Sequence, residues 1–239
     1  MASERQKMST RVQFKSKSGV ESSGYMSEPT GASKGTGKGG KTGAIVLIQE
    51  WWGVNDYMQS LVDRLASEGF ITLAPDLYHG KVTTDSNEAS ALMHALDWAQ
   101  ATDEITGAAQ FLKAHERCNG HVAVMGFCLG GALSFAAACA IPDLAAAVPF
   151  YGVPSKVDFS KITAPIQAHF AAHDEWAKPS AAKSIQDELA AHGKPMELHV
   201  YDAQHAFMNE TRKEVYNEPA AKLAWTRALD FLRKALGNI

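Results

Sequence analysis

The chain has 239 residues, 46% of them hydrophobic, and a formal net charge of −3. That size supports one substantial core. The charge offers no basic excess for nucleic acid, and no apolar run reaches the roughly 18 residues of a membrane span.

The opening MASERQKMSTR is polar and lacks the apolar stretch of a signal peptide. Three cysteines, Cys118, Cys128 and Cys139, are a sparse and odd set that fits free thiols in a reducing compartment. The expectation is a cytoplasmic protein that binds neither nucleic acid nor membrane. Residues 1–9 read as a flexible N-terminus and residues 10–239 as a single domain.

Alternation over 11–14 and 20–26, around a turn at 17–19, predicts a β-hairpin. The stretch EPTGASKGTGKGGKTG follows, and residues 31–43 are expected to form a flexible surface loop. Within it GTGKGGKT (35–42) fits the phosphate-loop pattern G-x-x-x-x-G-K-[ST]. That pattern needs a strand before it and a helix after it. Here the strand-like AIVLI comes after it, so nucleotide binding is set aside.

From residue 44 strands and helices alternate. Strands are predicted at 44–48, 70–74, 121–125, 144–150, 166–170 and 196–201. Helices are predicted at 55–68, 86–100, 102–116, 129–140, 180–192 and 218–236. Repeated β-α-β order implies an α/β fold: a mostly parallel, doubly wound sheet flanked by helices.

One junction carries chemistry. MGFCLGG (125–131) follows an apolar strand and opens a helix. It reads as the nucleophile elbow Gly-x-Ser-x-Gly with Cys128 in place of serine. Gly126, Gly130 and Gly131 meet the steric demand of so sharp a turn. The helix dipole and free amides at 128 favour negative charge, and so the reactive thiolate. Cys118 and Cys139 lack the strand–turn–helix context and read as buried space-fillers.

A nucleophile needs a base, and the base an orienting carboxylate. Asp174 in AAHDEW and His205 in YDAQHAF each lie just beyond a predicted strand, in the order nucleophile, acid, histidine. Asp202 is the competing carboxylate, only three residues from His205. His169 and His173 do not share a helical face, so no metal site is expected. His199 should lie within a strand, and His94, His115 and His192 on helix surfaces.

Together these motifs resemble the dienelactone hydrolases, from about residue 10 to the C-terminus. The marks are QEWWGVND (49–56), APDLYHG (74–80), GFCLGG (126–131), HD (173–174), HAF (205–207) and VYNEPAAKLAW (215–225). The resemblance implies an α/β-hydrolase fold and hydrolysis of small esters or lactones without a cofactor. It implies Cys128 as nucleophile, His205 as general base and Asp174 as its orienting acid. Glu50 would take the thiol proton; its plainer reading is a salt-bridge partner. The backbone amides of Trp51 and Leu129 would hold the oxyanion.

The family's two carboxylate-gripping arginines are not matched at Gly80 and Asn209, which leaves Lys81 and Arg212 as the nearby cations. Trp51, Trp52, Tyr78, Tyr151, Trp176 and Phe207 are expected at the active edge, part of them as an apolar pocket. The competing function is a non-catalytic binding or redox-sensing domain using Cys128 as an oxidisable thiol. Whether the protein is a monomer or a homo-oligomer is left open.

Overall fold

The computed structural model describes residues 8–30 and 40–237. The elements are β1 (Thr10–Lys15), β2 (Glu21–Ser27), β3 (Thr42–Ile48), α1 (Asp56–Ser67), β4 (Ile71–Pro75), α2 (Ser86–Ala95), α3 (Trp98–Lys113) and β5 (Cys118–Phe127). There follow α4 (Leu129–Ala140), β6 (Ala146–Phe150), a 3-10 turn (Phe159–Lys161), β7 (Ile166–His173), α5 (Pro179–Ala191), β8 (Met196–Gln204) and α6 (Glu218–Leu236).

Eight strands form one sheet in the order β1-β2-β4-β3-β5-β6-β7-β8. The hairpin β1–β2 joins β4 antiparallel, and every other pairing is parallel. The chain moves from β3 outward to β4, then reverses across β3 to β5. Right-handed crossovers therefore put α1 and α3 on opposite faces. Arg64 stacks over the Trp225 ring at 3.9 Å and Arg233 pairs with Glu68 at 2.6 Å, which ties α6 to α1. All seven residues of β3 are buried, as a strand covered on both faces requires.

Two boundaries differ from the sequence reading. The helix expected over 86–100 stops at Ala95, and the next begins at Trp98, not at 102. Leu96 turns extended, and the Asp97 carboxylate accepts from the amides of Ala99 and Gln100 (2.9 and 3.2 Å). Those donors open a helix and have no intrahelical acceptor, so Asp97 fixes the start there. Strand β3 starts at Thr42, inside the segment read as loop. Most of that loop, with residues 35–39 of the phosphate-loop match and nearly all of the expected N-terminal tail, lies outside the described residues. No helix among the described residues is long and apolar enough to cross a membrane.

Positive φ at non-glycine residues is confined, among the described residues, to His79, Cys128, Tyr151 and Ala206. Each stands close beyond the carboxyl end of β4, β5, β6 or β8. Such conformations cost about 1–3 kcal/mol each and persist only where the surroundings impose them. Parallel α/β sheets place their sites at this edge.

Candidate active site

Cys128 sits between β5 and α4 at φ 56, ψ −114. The turn is held by its neighbours' small size. A Cβ on Gly126 would lie 2.2 Å from the Gly130 carbonyl oxygen, and one on Gly130 2.3 Å from that of Ile48. The helix therefore begins pressed against β3 and β5, and the thiol is lifted to the sheet edge, half-buried and not sealed. By contrast, burial pushes the Cys139 thiol up to about 11 and raises Cys118 as well, so both favour the unreactive protonated form.

Asp174 follows β7 and is almost wholly buried. Its Oδ1 accepts from the amides of Trp176 (2.8 Å) and Ala177 (2.9 Å), and its Oδ2 meets His205 Nδ1 at 2.6 Å. Burial alone would raise this carboxyl; the hydrogen bonds and charge of His205, with the two amides, hold it below its ordinary range. Asp202 faces away: it is 94% exposed and pairs with His173 at 2.7 Å.

His205 follows β8. Burial pushes its imidazole down, but the hydrogen bond to Asp174, the neighbouring Cys128 sulfur and the charge of the Asp174 carboxylate outweigh this and lift it to about 10. The sign gives a test. A raised imidazole contributes stability in full below its ordinary 6.5 and loses that contribution as pH climbs toward about 10. The melting temperature should fall over that window, and Cys128→Ala should flatten the fall by removing one partner. Parallel melting curves against pH for the two proteins check this.

Glu50 lies two residues beyond β3 and is 2% exposed. Its Oε2 accepts from Asn209 Nδ2 at 2.8 Å, and its Oε1 has no hydrogen-bond partner among the described residues. Burial raises this carboxyl more than the Asn209 hydrogen bond and the charges of His205 and Arg212 lower it. It forms no ion pair within 4 Å among the described residues, which removes the salt-bridge reading.

A cavity of about 400 Å³ opens over these groups, and Glu50, Cys128 and His205 all line it. Trp51, Trp52 and Trp176 form an aromatic wall, with ring centroids 4.8 Å apart for the first two and 6.4 Å for Trp51 and Trp176. Trp176 is 77% exposed at the mouth. Arg212 also lines the cavity, its guanidinium 5.7 Å from the Trp52 ring and its Nε bonded to Glu214 at 2.9 Å.

Four residues expected in the pocket stand elsewhere. Tyr151 and Phe207 are fully buried and pack against each other at 5.4 Å, beneath His205. Tyr78 is also buried in the core, and burial raises its hydroxyl well above the ordinary range. Lys81 is exposed and away from the cavity, its carbonyl oxygen against Gly53. Met93 and Val215 line the cavity without having been expected there. A larger groove, about 1010 Å³, runs along α1 and residues 208–222 and contains none of the predicted site residues.

The amide of Leu129 is the first of α4, where helix geometry supplies no intrahelical acceptor. The Trp51 amide likewise has no acceptor among the described residues. Both adjoin Cys128 or the cavity. His169, fully buried, is held between Gln167 (3.0 Å) and Tyr201 (2.8 Å). His199 pairs with Glu197, His94 bonds the Ser90 carbonyl, and His115 stands just past α3 beside Glu28. No cluster among the described residues is suited to a metal ion.

A mostly parallel sheet with a strained elbow after β5, a carboxylate after β7 and a histidine after β8 defines an enzyme of the α/β-hydrolase class. The chain belongs to the dienelactone hydrolase family, whose family model matches residues 25–236, and it is a lactone or ester hydrolase. It is 35% identical to Protein usf of Aquifex pyrophilus, covering 96% of this chain and all of that protein. It is 29% identical to carboxymethylenebutenolidase 1 of Cupriavidus pinatubonensis, covering 94% of this chain and 97% of that one. A dienelactone hydrolase-like promiscuous phosphotriesterase from metagenomic libraries superposes with a TM-score of 0.80 at 22% identity, over 96% of this chain and 99% of that one, a likeness of fold.

Proposed function

We propose that the protein hydrolyses small esters or lactones through Cys128, His205 and Asp174, by way of a thioester on Cys128. The single observation that carries this is the 2.6 Å hydrogen bond from His205 Nδ1 to Asp174, beside a cavity that His205 and Cys128 both line. A redox sensor has no need of that acid–imidazole pair.

The protons balance as follows. Glu50 accepts the thiol proton and the thiolate attacks the carbonyl carbon. The Trp51 and Leu129 amides hold the oxyanion, a contribution of about 3 kcal/mol per donor. Imidazolium His205 gives its proton to the leaving alkoxide. Neutral His205 then takes a proton from water, whose hydroxide cleaves the thioester to the free acid. Glu50 finally returns its proton to the thiolate. No cofactor enters any step.

The substrate is a small molecule sized for the cavity, with a planar apolar portion against the tryptophans and Arg212 as the cation nearest a carboxylate. Three free thiols suit a reducing compartment, and we place the enzyme in the cytoplasm. The test is a panel of lactones and esters, with and without a free carboxylate, quenched in acid during turnover and analysed by mass spectrometry. The expected result is the acyl mass on the peptide carrying Cys128. Steady turnover that persists after the Cys128 thiol has been alkylated would falsify the reading.

A further inference from the structure

We propose that Asn209 is a positioning residue, which fixes the Glu50 carboxylate in place with one oxygen left free for the Cys128 thiol. The inference rests on the proposed chemistry and adds a residue that it does not contain.

Asn209 is 1% exposed and all of its side-chain polar atoms are committed. Its Oδ1 accepts twice from Thr211, from the amide at 3.1 Å and from the hydroxyl at 2.6 Å. Those two donors fix which way the carboxamide faces, because a flipped amide would set NH₂ against N–H. Nδ2 must then point at Glu50, and it does, 2.8 Å from Oε2. The backbone is pinned too, since the Asn209 amide donates to the Ala206 carbonyl at 2.9 Å, one residue from His205. Asn209 therefore stands behind Glu50 and does not reach the substrate cavity.

A neutral donor here has a particular use. A guanidinium or ammonium at 209 would pair with Glu50 as a full opposite charge and hold its negative charge in place. An amide orients the carboxylate and leaves it basic enough to take a proton. The other groups that act on Glu50 are His205 beyond β8, Arg212, the Tyr151 hydroxyl beyond β6 and Tyr57 on α1. Only His205 and Arg212 of these are cationic. Tyr57 is itself occupied, donating to the Met208 carbonyl at 2.9 Å. Oε1 has no hydrogen-bond partner among the described residues, although the Tyr151 hydroxyl stands near enough to act on the carboxylate, and Glu50 borders the cavity that Cys128 borders.

The experiment is the pH profile of kcat/KM for a small activated ester. Glu50 must be ionised to accept a proton, so the rate rises with pH through its titration. Asn209→Leu keeps the branching at Cγ, although it is the bulkier residue, and removes the donor, so the acid limb should move up by about one pH unit. Thr211→Val, at an exposed position, loosens the amide without emptying the core and should move the limb the same way by less. In a Glu50→Gln background neither substitution should move any limb.

An unmoved limb in both folded variants overturns the proposal, as does an equal shift in the Glu50→Gln background. Loss of melting temperature with an unchanged profile also overturns it, because a purely structural residue behaves that way. The two readings fail separately. Turnover surviving Cys128→Ala removes the mechanism, whereas an unmoved limb in an enzyme that depends on Cys128 removes Asn209 alone.

Discussion

Cys128→Ala is expected to lower kcat for a small activated ester by at least about 10,000-fold, with the fold intact. The fold survives because the strain at 128 belongs to the backbone. Alanine is the smaller residue at the same positive φ, and the close contacts that shape the turn are made by Gly126 and Gly130. The activity does not survive because neither remaining thiol can substitute. Cys118 is buried beside the Gly120 amide, and the Cys139 sulfur bonds the Asp158 carbonyl at 3.3 Å, remote from His205. Stopped-flow and steady-state assays with matched melting curves decide it. Activity unchanged in a folded Cys128→Ala protein would leave the thiol with no catalytic part.

Asp174→Asn should cost a comparable factor, about 10,000-fold in kcat, through a single proton. The Trp176 and Ala177 amides at 2.8 and 2.9 Å keep the carboxamide oxygen on their side. The NH₂ is thereby turned toward His205, where it donates to Nδ1. The neutral ring must then carry its proton on Nε2, where it cannot take the proton of the water that cleaves the thioester. Asp202→Asn is the control. Asp202 pairs with exposed His173, and its loss should leave kcat within about twofold, the scale of exposed ion pairs. A drop of equal size in both variants would assign the orienting role to neither carboxylate.

Much of this site could be read from the chain because its signals are local. The elbow is a run of seven residues, and the steric reason for its glycines holds within that run. Asp174 and His205 were placed by a rule about strand ends, which tolerated β7 running three residues longer than expected, through His173. The pocket was less legible, since it depends on which side of the edge each loop falls. Tyr151 directly follows β6 and Phe207 lies two residues past His205, but both turn inward, against Phe127 and Tyr201. Lys81 and Arg212 looked equivalent as cations, and only the tertiary path of two loops separates them.

Asn209 did carry a sequence signal. Asn-x-Thr after a turn is the setting for a side chain that bonds the backbone two residues on. The helix break at Asp97 carried a signal of the same kind, a capping residue, which the expectation of one helix over 86–100 passed over.

The segment after β7 joins two tasks in three residues. Trp176 presents its ring at the cavity mouth while its own amide, with that of Ala177, grips the acid behind the histidine. Inserting or deleting one residue there would displace the carboxylate along with the indole. Exchanging the side chain at 176 alone alters what the mouth admits and leaves the acid undisturbed. Divergence toward new substrates at this loop is thus confined to substitution at constant length, and a library built for altered selectivity should randomise identities there and leave the spacing untouched.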